Sequence, residues 1–131
     1  MILIDTNVIS EIMKVQPSAS VVDWLNNQEP SSLYVSTVTL GEIEYGLRIL
    51  PVGKRHLELK DRFEQFLSLA FAQRVLAYDE PAARSYGEVM GLRKAMGRPM
   101  SVPDGQIAAI ARANRLQIAT RNTSDKRLRE L

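Results

Sequence analysis

Residues 101–120 read SVPDGQIAAIARANRLQIAT, a helix and then a strand, with an acid where the helix should face a core. Ile107, Ala108 and Ala111 stand three, four and seven residues after Asp104, so a helix puts all four on one face. Gln106, Arg112 and Arg115 fall elsewhere. Two readings of Asp104 are open at this point. Ser101 as N-cap, Pro103 in the first turn and an acid at the third helical position make a capping box, which gives Asp104 a local role. The other role is in a site that more distant residues must complete.

Outward from this segment the same alternation repeats. ILID (2–5) is a short β-branched run ending in an acid, and TNVISEIMK takes up a helical period after it. SVVDWLNNQ (20–28) reads as a second short helix, closed by the turn Glu29-Pro30-Ser31-Ser32. LYVS (33–36) is a strand, 37–50 a helix broken by Pro51-Val52-Gly53, and 54–72 a longer amphipathic helix carrying Leu57, Phe63, Phe66 and Leu67. RVLAYD (74–79) is a third strand, Glu80 to Met96 a helix ending at Gly97-Arg98-Pro99, and LQIATRN (116–122) a fourth strand. No repeat, linker or low-complexity stretch interrupts residues 1–131, so the expectation is one domain. Alternating strands and helices predict an α/β fold, a short parallel sheet with helices on both faces. The strands are short and apolar, as buried parallel strands are. The end, TRNTSDKRLREL, offers no further edge strand.

Composition removes several chemistries. There is no cysteine, which excludes disulfides, thiolate metal sites and a cysteine nucleophile. The single histidine, His56, excludes any site needing two imidazoles. No apolar run is long enough to span a bilayer, and MILIDTNVISEIMK has neither a basic leader nor a small-residue cleavage site, so a cytoplasmic location is expected. Charge is uneven. Residues 1–90 hold 8 Lys/Arg against 12 Asp/Glu, and residues 91–131 hold 9 against 3. The basic second part suits a polyanionic partner.

The acids fall in a pattern. Asp5 closes the first strand, Glu42 lies six residues past the second, and Asn122 and Asp125 follow the fourth. Each has a local explanation, such as an N-cap for Asp5 or a turn for the 122–125 segment. Glu42 lies between Val38 and Tyr45 at helical spacing, at the border of the expected buried stripe. Together these positions lie beyond the carboxyl ends of three strands, and the Asp104 helix can start on the same edge. That edge is where open parallel sheets bind ligands. Converging carboxylates repel one another unless a cation neutralises them. With only oxygen donors, the ions that fit are hard ones, Mg²⁺ or Mn²⁺, and their chemistry on phosphates is phosphodiester hydrolysis.

ILIDTNVISE, VSTVTLGEIEYGL and SVPDGQIAAIARANRLQIATRN resemble the PIN-domain ribonucleases, and within them the VapC-type toxins of bacterial toxin–antitoxin pairs, of the FitB-like, plasmid-stability branch. The resemblance implies a three-layer α/β/α PIN-like fold with a mostly parallel central sheet of four to five strands. It implies an Mg²⁺- or Mn²⁺-dependent endoribonuclease that cuts RNA with metal-activated water. Asp5 and Asp104 match the principal metal-binding acids and Glu42 the third. The fourth position falls on Asn122, which many relatives fill with aspartate. Asp125 is near enough to substitute, although Lys126 follows it where relatives often carry phenylalanine. Thr6, Asn7 and Thr120 are expected to support the site. Arg93, Lys94, Arg98, Arg112, Arg115 and Arg121 are candidates for RNA phosphate contacts.

The resemblance further implies a cognate antitoxin whose tail fills the acidic crevice, and a homodimer, for which Met90, Leu92 and Met96 are candidate contacts. It implies operator DNA reached only through the antitoxin. The competing expectation is a module that mainly binds the antitoxin, its pocket weak because Asn122 replaces an acid. A phosphatase or receiver-type domain using Asp5 as phosphoryl acceptor fits poorly, because no D-x-D follows the first strand.

Overall fold

The computed structural model describes residues 1–71 and 74–121. Among the described residues four parallel strands form the sheet: β1 (Ile2–Ile4), β2 (Leu33–Ser36), β3 (Val75–Leu76) and β4 (Gln117–Ala119), in the order β3-β2-β1-β4. The β1 register sets Leu3 beside Tyr34 on one flank and beside Ile118 on the other. The helices are α1 (Thr6–Ile12), α2 (Ala19–Asn26), α3 (Thr37–Arg48), α4 (Lys54–Phe66), α5 (Glu80–Ala95) and α6 (Val102–Ala113). This is the expected α/β architecture.

Period-two alternation separates the layers. Ile2 and Ile4 of β1, with Leu33 and Val35 of β2, face a core closed by Val8 and Ile9 of α1, Ile43 and Leu47 of α3 and Phe63 of α4. Leu3 and Ile118 face the other way, onto Ala82 and Val89 of α5 and Ile107, Ala108, Ile110 and Ala111 of α6. Leu3, Ile4, Ile9 and Ile110 are wholly inaccessible, each contributing about 1.5–3 kcal/mol of hydrophobic stabilisation. The helices therefore cover both faces of the sheet, in three layers.

Several expected elements are shorter than their sequences suggest; the strand expected over 116–122 covers only Gln117–Ala119, residue 122 lying outside the described residues. Residues 74–79 read as a strand, but only Val75 and Leu76 pair, with Val35 and Ser36. The reason lies in β2: Ser36 turns there to become the N-cap of α3, so no ladder continues for β3 to follow. The helix expected over 54–72 keeps α-geometry to Phe66 and then widens into a π-turn, Leu67–Phe71. Phe63 is buried as expected, whereas Leu57 is exposed. Of the candidate dimer contacts, Leu92 and Met96 are exposed, and Met90 packs beside Gly105.

Candidate active site

The carboxyl edge of the sheet carries a cleft of about 630 Å³, lined by Asp5, Thr6, Asn7, Ser10, Glu11, Lys14, Glu42, Asp104 and Arg121. Three of the expected acids therefore share one opening, although they come from the end of β1, the second turn of α3 and the first turn of α6.

Asp5 is the N-cap that its sequence position suggests, and it also lines the cleft. As N-cap of α1 its Oδ1 accepts the Thr6 N–H at 2.8 Å, and its Oδ2 accepts the Thr120 hydroxyl at 2.7 Å. Burial pushes its carboxyl above its ordinary value. Hydrogen bonds from Thr120 and Thr6 pull the other way, and the negative charges of Asp104 and Glu42 add to the rise. That shared repulsion is the electrostatic sign of converging acids.

Asp104 is seated by its cap. Ser101 is the N-cap of α6, its hydroxyl accepts the Asp104 N–H at 3.3 Å, and Pro103 lies in the first turn. Ile107, Ala108 and Ala111 are buried on the same face. Among the described residues no hydrogen bond reaches the Asp104 carboxylate, so the capping box is one-sided and the acid group is left for the cleft. Asp104 thus stands in the capped first turn of α6 and in the lining of the cleft at once.

Glu42 is held differently. The buried stripe of α3 is Thr39, Ile43 and Leu47, while Glu42 is exposed and Tyr45 projects to solvent, so the expected flank at Tyr45 is not part of the core. A run of hydroxyls orients the acid. Ser36 Oγ donates to Thr39 Oγ1 at 3.2 Å, Thr39 Oγ1 lies 2.9 Å from Thr6 Oγ1, and Thr6 Oγ1 donates to Glu42 Oε1 at 2.6 Å.

The supporting residues meet at the same place. Asn7 Nδ2 donates to Thr120 Oγ1 at 3.1 Å, and its Oδ1 accepts the Arg121 N–H at 3.0 Å, which ties the end of β4 to α1. Asn122 and Asp125 lie outside the described residues. Of the six basic candidates only Arg121 lines the cleft. Arg93 gives its Nε to the Arg98 carbonyl, and Arg112 pairs with Glu88 at 3.3 Å. Arg115 precedes β4 at the opposite edge of the sheet, in a left-handed conformation with φ 57°. Lys94 and Arg98 are exposed away from the cleft lining.

Glu11 and Lys14 also line the cleft, and neither belongs to the acid pattern or the motifs described above. Their one signal is spacing: Asn7 and Glu11 stand at i and i+4 on α1, and Lys14 follows three residues later, just past the end of that helix. Beside the cleft, Met13, Ile43, Leu47, Leu50 and Leu59 line an apolar groove of about 250 Å³ that shares Thr6, Ser10, Lys14 and Glu42 with it.

The donor set suits a hard divalent cation: all-oxygen acids, one with its charge disfavoured by the other two, and one carboxylate without a hydrogen bond. Among the described residues no three acids approach closely enough to form a closed metal cage. Asp5 and Glu42 are instead engaged by hydroxyl and backbone donors, so an ion would meet an open site.

Fold and site together define a class: a parallel α/β domain with a polyacidic cleft at the carboxyl edge of its sheet. The PIN domain profile matches residues 2–131, and the chain belongs to the PIN-domain family. It is 43% identical over 123 residues to the plasmid stability protein StbB of Pseudomonas syringae pv. tomato, covering 94% of this chain and 88% of that protein. It is 42% identical over 124 residues to the VapC ribonuclease Y4jK of Sinorhizobium fredii, covering 95% and 89%. Among solved structures it resembles FitAcB from Neisseria gonorrhoeae, with TM-score 0.86 and 41% identity over 94% of this chain and 88% of that one. FitAB bound to an IR36 DNA fragment superposes with TM-score 0.88 and 40% identity over 95% and 87%.

Proposed function

We propose that this chain is the toxin of a type II toxin–antitoxin pair and acts as an Mg²⁺- or Mn²⁺-dependent endoribonuclease. The observation that carries the reading is the convergence of Asp5, Glu42 and Asp104 on one cleft from three separate elements. Likeness to a protein named a VapC ribonuclease supports it. Asp5 and Asp104, with Glu42, would hold the ion. When bound, the ion supplies Lewis acidity toward a phosphate oxygen and acidifies water for hydrolysis.

The chain's own residues do the rest. Thr120 and Asn7 fix the Asp5 carboxylate, the Ser36–Thr39–Thr6 hydroxyls fix Glu42, and the Ser101 cap fixes the start of α6 under Asp104. Asn122 or Asp125 serves as the fourth site residue. Catalysis of this kind depends on groups already oriented before the substrate arrives.

The partner is an antitoxin, as in the FitAB and FitAcB complexes, and operator DNA is met through that antitoxin. The apolar groove beside the cleft supports this, because an amphipathic segment docks its apolar face in such a groove. The protein works in the cytoplasm, where its RNA substrate is, and as a homodimer. Among the described residues no helix is long and apolar enough to cross a membrane.

An end-labelled RNA is incubated with the protein in Mg²⁺, Mn²⁺ or chelator. Cleavage with either ion, none with chelator, and none by a folded Asp104→Asn variant are expected. Full activity of Asp104→Asn overturns the proposal. Intact RNA in all conditions, with antitoxin still bound, favours the pure binding module.

A further inference from the structure

Among the described residues Glu11 is the only charged side chain that is buried, 6% exposed, and the metal-site reading does not use it. Its Oε1 accepts Lys14 Nζ at 2.8 Å and also Arg121 Nη1, and its Oε2 accepts the Ser18 N–H at 2.9 Å. The Lys14 hydrogen bond foremost, then the Ser18 N–H, holds the Glu11 carboxyl below its ordinary value, so it is ionised. Two cations on one carboxylate leave a net positive charge. Both cations remain open to solvent, with 62% of the Lys14 side chain and 45% of the Arg121 side chain exposed.

The cleft thus has two halves. Asp5, Glu42 and Asp104 supply its negative charges, and Lys14 with Arg121, joined through Glu11, supplies its positive ones. A guanidinium offers five donors, and among the described residues Glu11 engages only Nη1, which leaves a fork for a second anion. At Lys14 and Arg121 an incoming cation would meet two positive charges, whereas a phosphate would meet two partners.

We propose that Lys14 and Arg121 hold RNA backbone phosphates next to the bond that is cut, and that Glu11 is a positioning residue that keeps both cations at the cleft wall. This rests on the ribonuclease reading. Unrestrained lysine and arginine side chains sample many rotamers, and a common buried carboxylate removes that freedom before RNA arrives.

The sign of one substitution separates positioning from plain charge. Glu11→Gln removes a negative charge from the cleft, so charge alone predicts tighter RNA binding. Loss of positioning predicts weaker binding. The assay uses the full chain carrying Asp104→Asn, a labelled single-stranded RNA oligonucleotide, chelator, and anisotropy across a salt series. Lys14→Ala and Arg121→Ala are each expected to weaken binding several-fold and to flatten the slope of log affinity against log salt by about 0.7, the value for one phosphate contact on a single strand. Glu11→Gln is expected to weaken binding too, while Glu29→Gln, an exposed acid before β2, leaves it unchanged. In the cutting chain the same three substitutions raise KM more than they lower kcat.

Arg121→Lys, which keeps the charge and loses the fork, replaces Arg121→Ala if the latter does not fold, and an intermediate loss is expected. Unchanged affinity and slope in the variants, or tighter binding by Glu11→Gln, overturns the inference and leaves the ribonuclease reading standing. Weaker binding of an arginine-bearing peptide with unchanged RNA binding overturns it as well. No RNA binding by the Asp104→Asn chain itself removes the ribonuclease reading with it.

Discussion

Replace Gly105 by alanine and the added Cβ lands 2.4 Å from Met90 Sδ, 3.2 Å from Tyr86 Cε1 and 3.3 Å from Met90 Cγ. Ordinary contact distances between such atoms are about 3.5–4.0 Å, so Met90 must retreat by at least about 1 Å. The methionine end is flexible, but the second contact, at Cγ, reaches further up its chain and limits what a rotamer change can relieve. Overpacking of this kind costs about 1–3 kcal/mol. Against it stands the helix preference for alanine over glycine, about 1 kcal/mol. The net expectation for Gly105→Ala is a loss of about 1 kcal/mol, read as a fall of about 0.5 M in the urea midpoint at unchanged slope. In a Met90→Ala background the obstructing atoms are gone, and the same substitution should become neutral or stabilising. Such a reversal is a coupling between neighbours. Asp104 is next in the chain to Gly105, so pushing α6 off α5 also displaces its carboxylate, and cleavage should fall further than stability. A Gly105→Ala protein as stable as its parent, or one indifferent to the residue at 90, would refute the close packing of α5 on α6.

Asp5 has a raised pKa in the fold, so the folded chain holds this proton more tightly than the unfolded one. Its contribution to stability is full below the unfolded value, near pH 4, and is lost as pH rises through the folded value. In metal-free urea titrations, Asp5→Asn should gain on the parent as pH rises from acid to neutral, and a gain confined to acid would contradict this. Ser36→Ala removes the α3 cap, whose Oγ accepts the Thr39 N–H at 3.1 Å, and should cost about 1–2 kcal/mol by thermal or urea unfolding. Arg115→Gly relieves a left-handed residue at the end of α6, where the Leu116 N–H returns to the Ala111 carbonyl at 2.8 Å, and should stabilise by about 0.5–1 kcal/mol. A destabilised Arg115→Gly protein would show that the arginine side chain contributes more than its backbone costs.

What the sequence made legible was local or periodic. The α6 cap, the alternation of strand and helix, and the acids just past strand ends all follow from rules within a few residues. β3 was overestimated because its length is decided by its neighbour: β2 stops at Ser36, and no run of Val, Leu and Tyr in 74–79 records that. Glu42 does line the cleft, but its sequence reading rests on a partly mistaken reason, since Tyr45 is exposed and the acid is oriented by hydroxyls. Glu11 was missed because an acid on a short helix reads as surface. One of its partners, Arg121, stands 110 residues later, and only the folded chain brings the two together.

β1 lies between β2 and β4, and the cleft draws Asp5 and Thr6 from one end of the sequence and Asp104 and Arg121 from near the other. A nascent polypeptide leaving the ribosome amino terminus first therefore exposes half of a site long before the other half exists. β4 must emerge and slot beside β1 before Thr120 can reach Asp5. Until β4 has been made and has paired, the cleft lacks both Arg121 and the hydroxyl that holds Asp5, so any chemistry it supports waits on that one pairing.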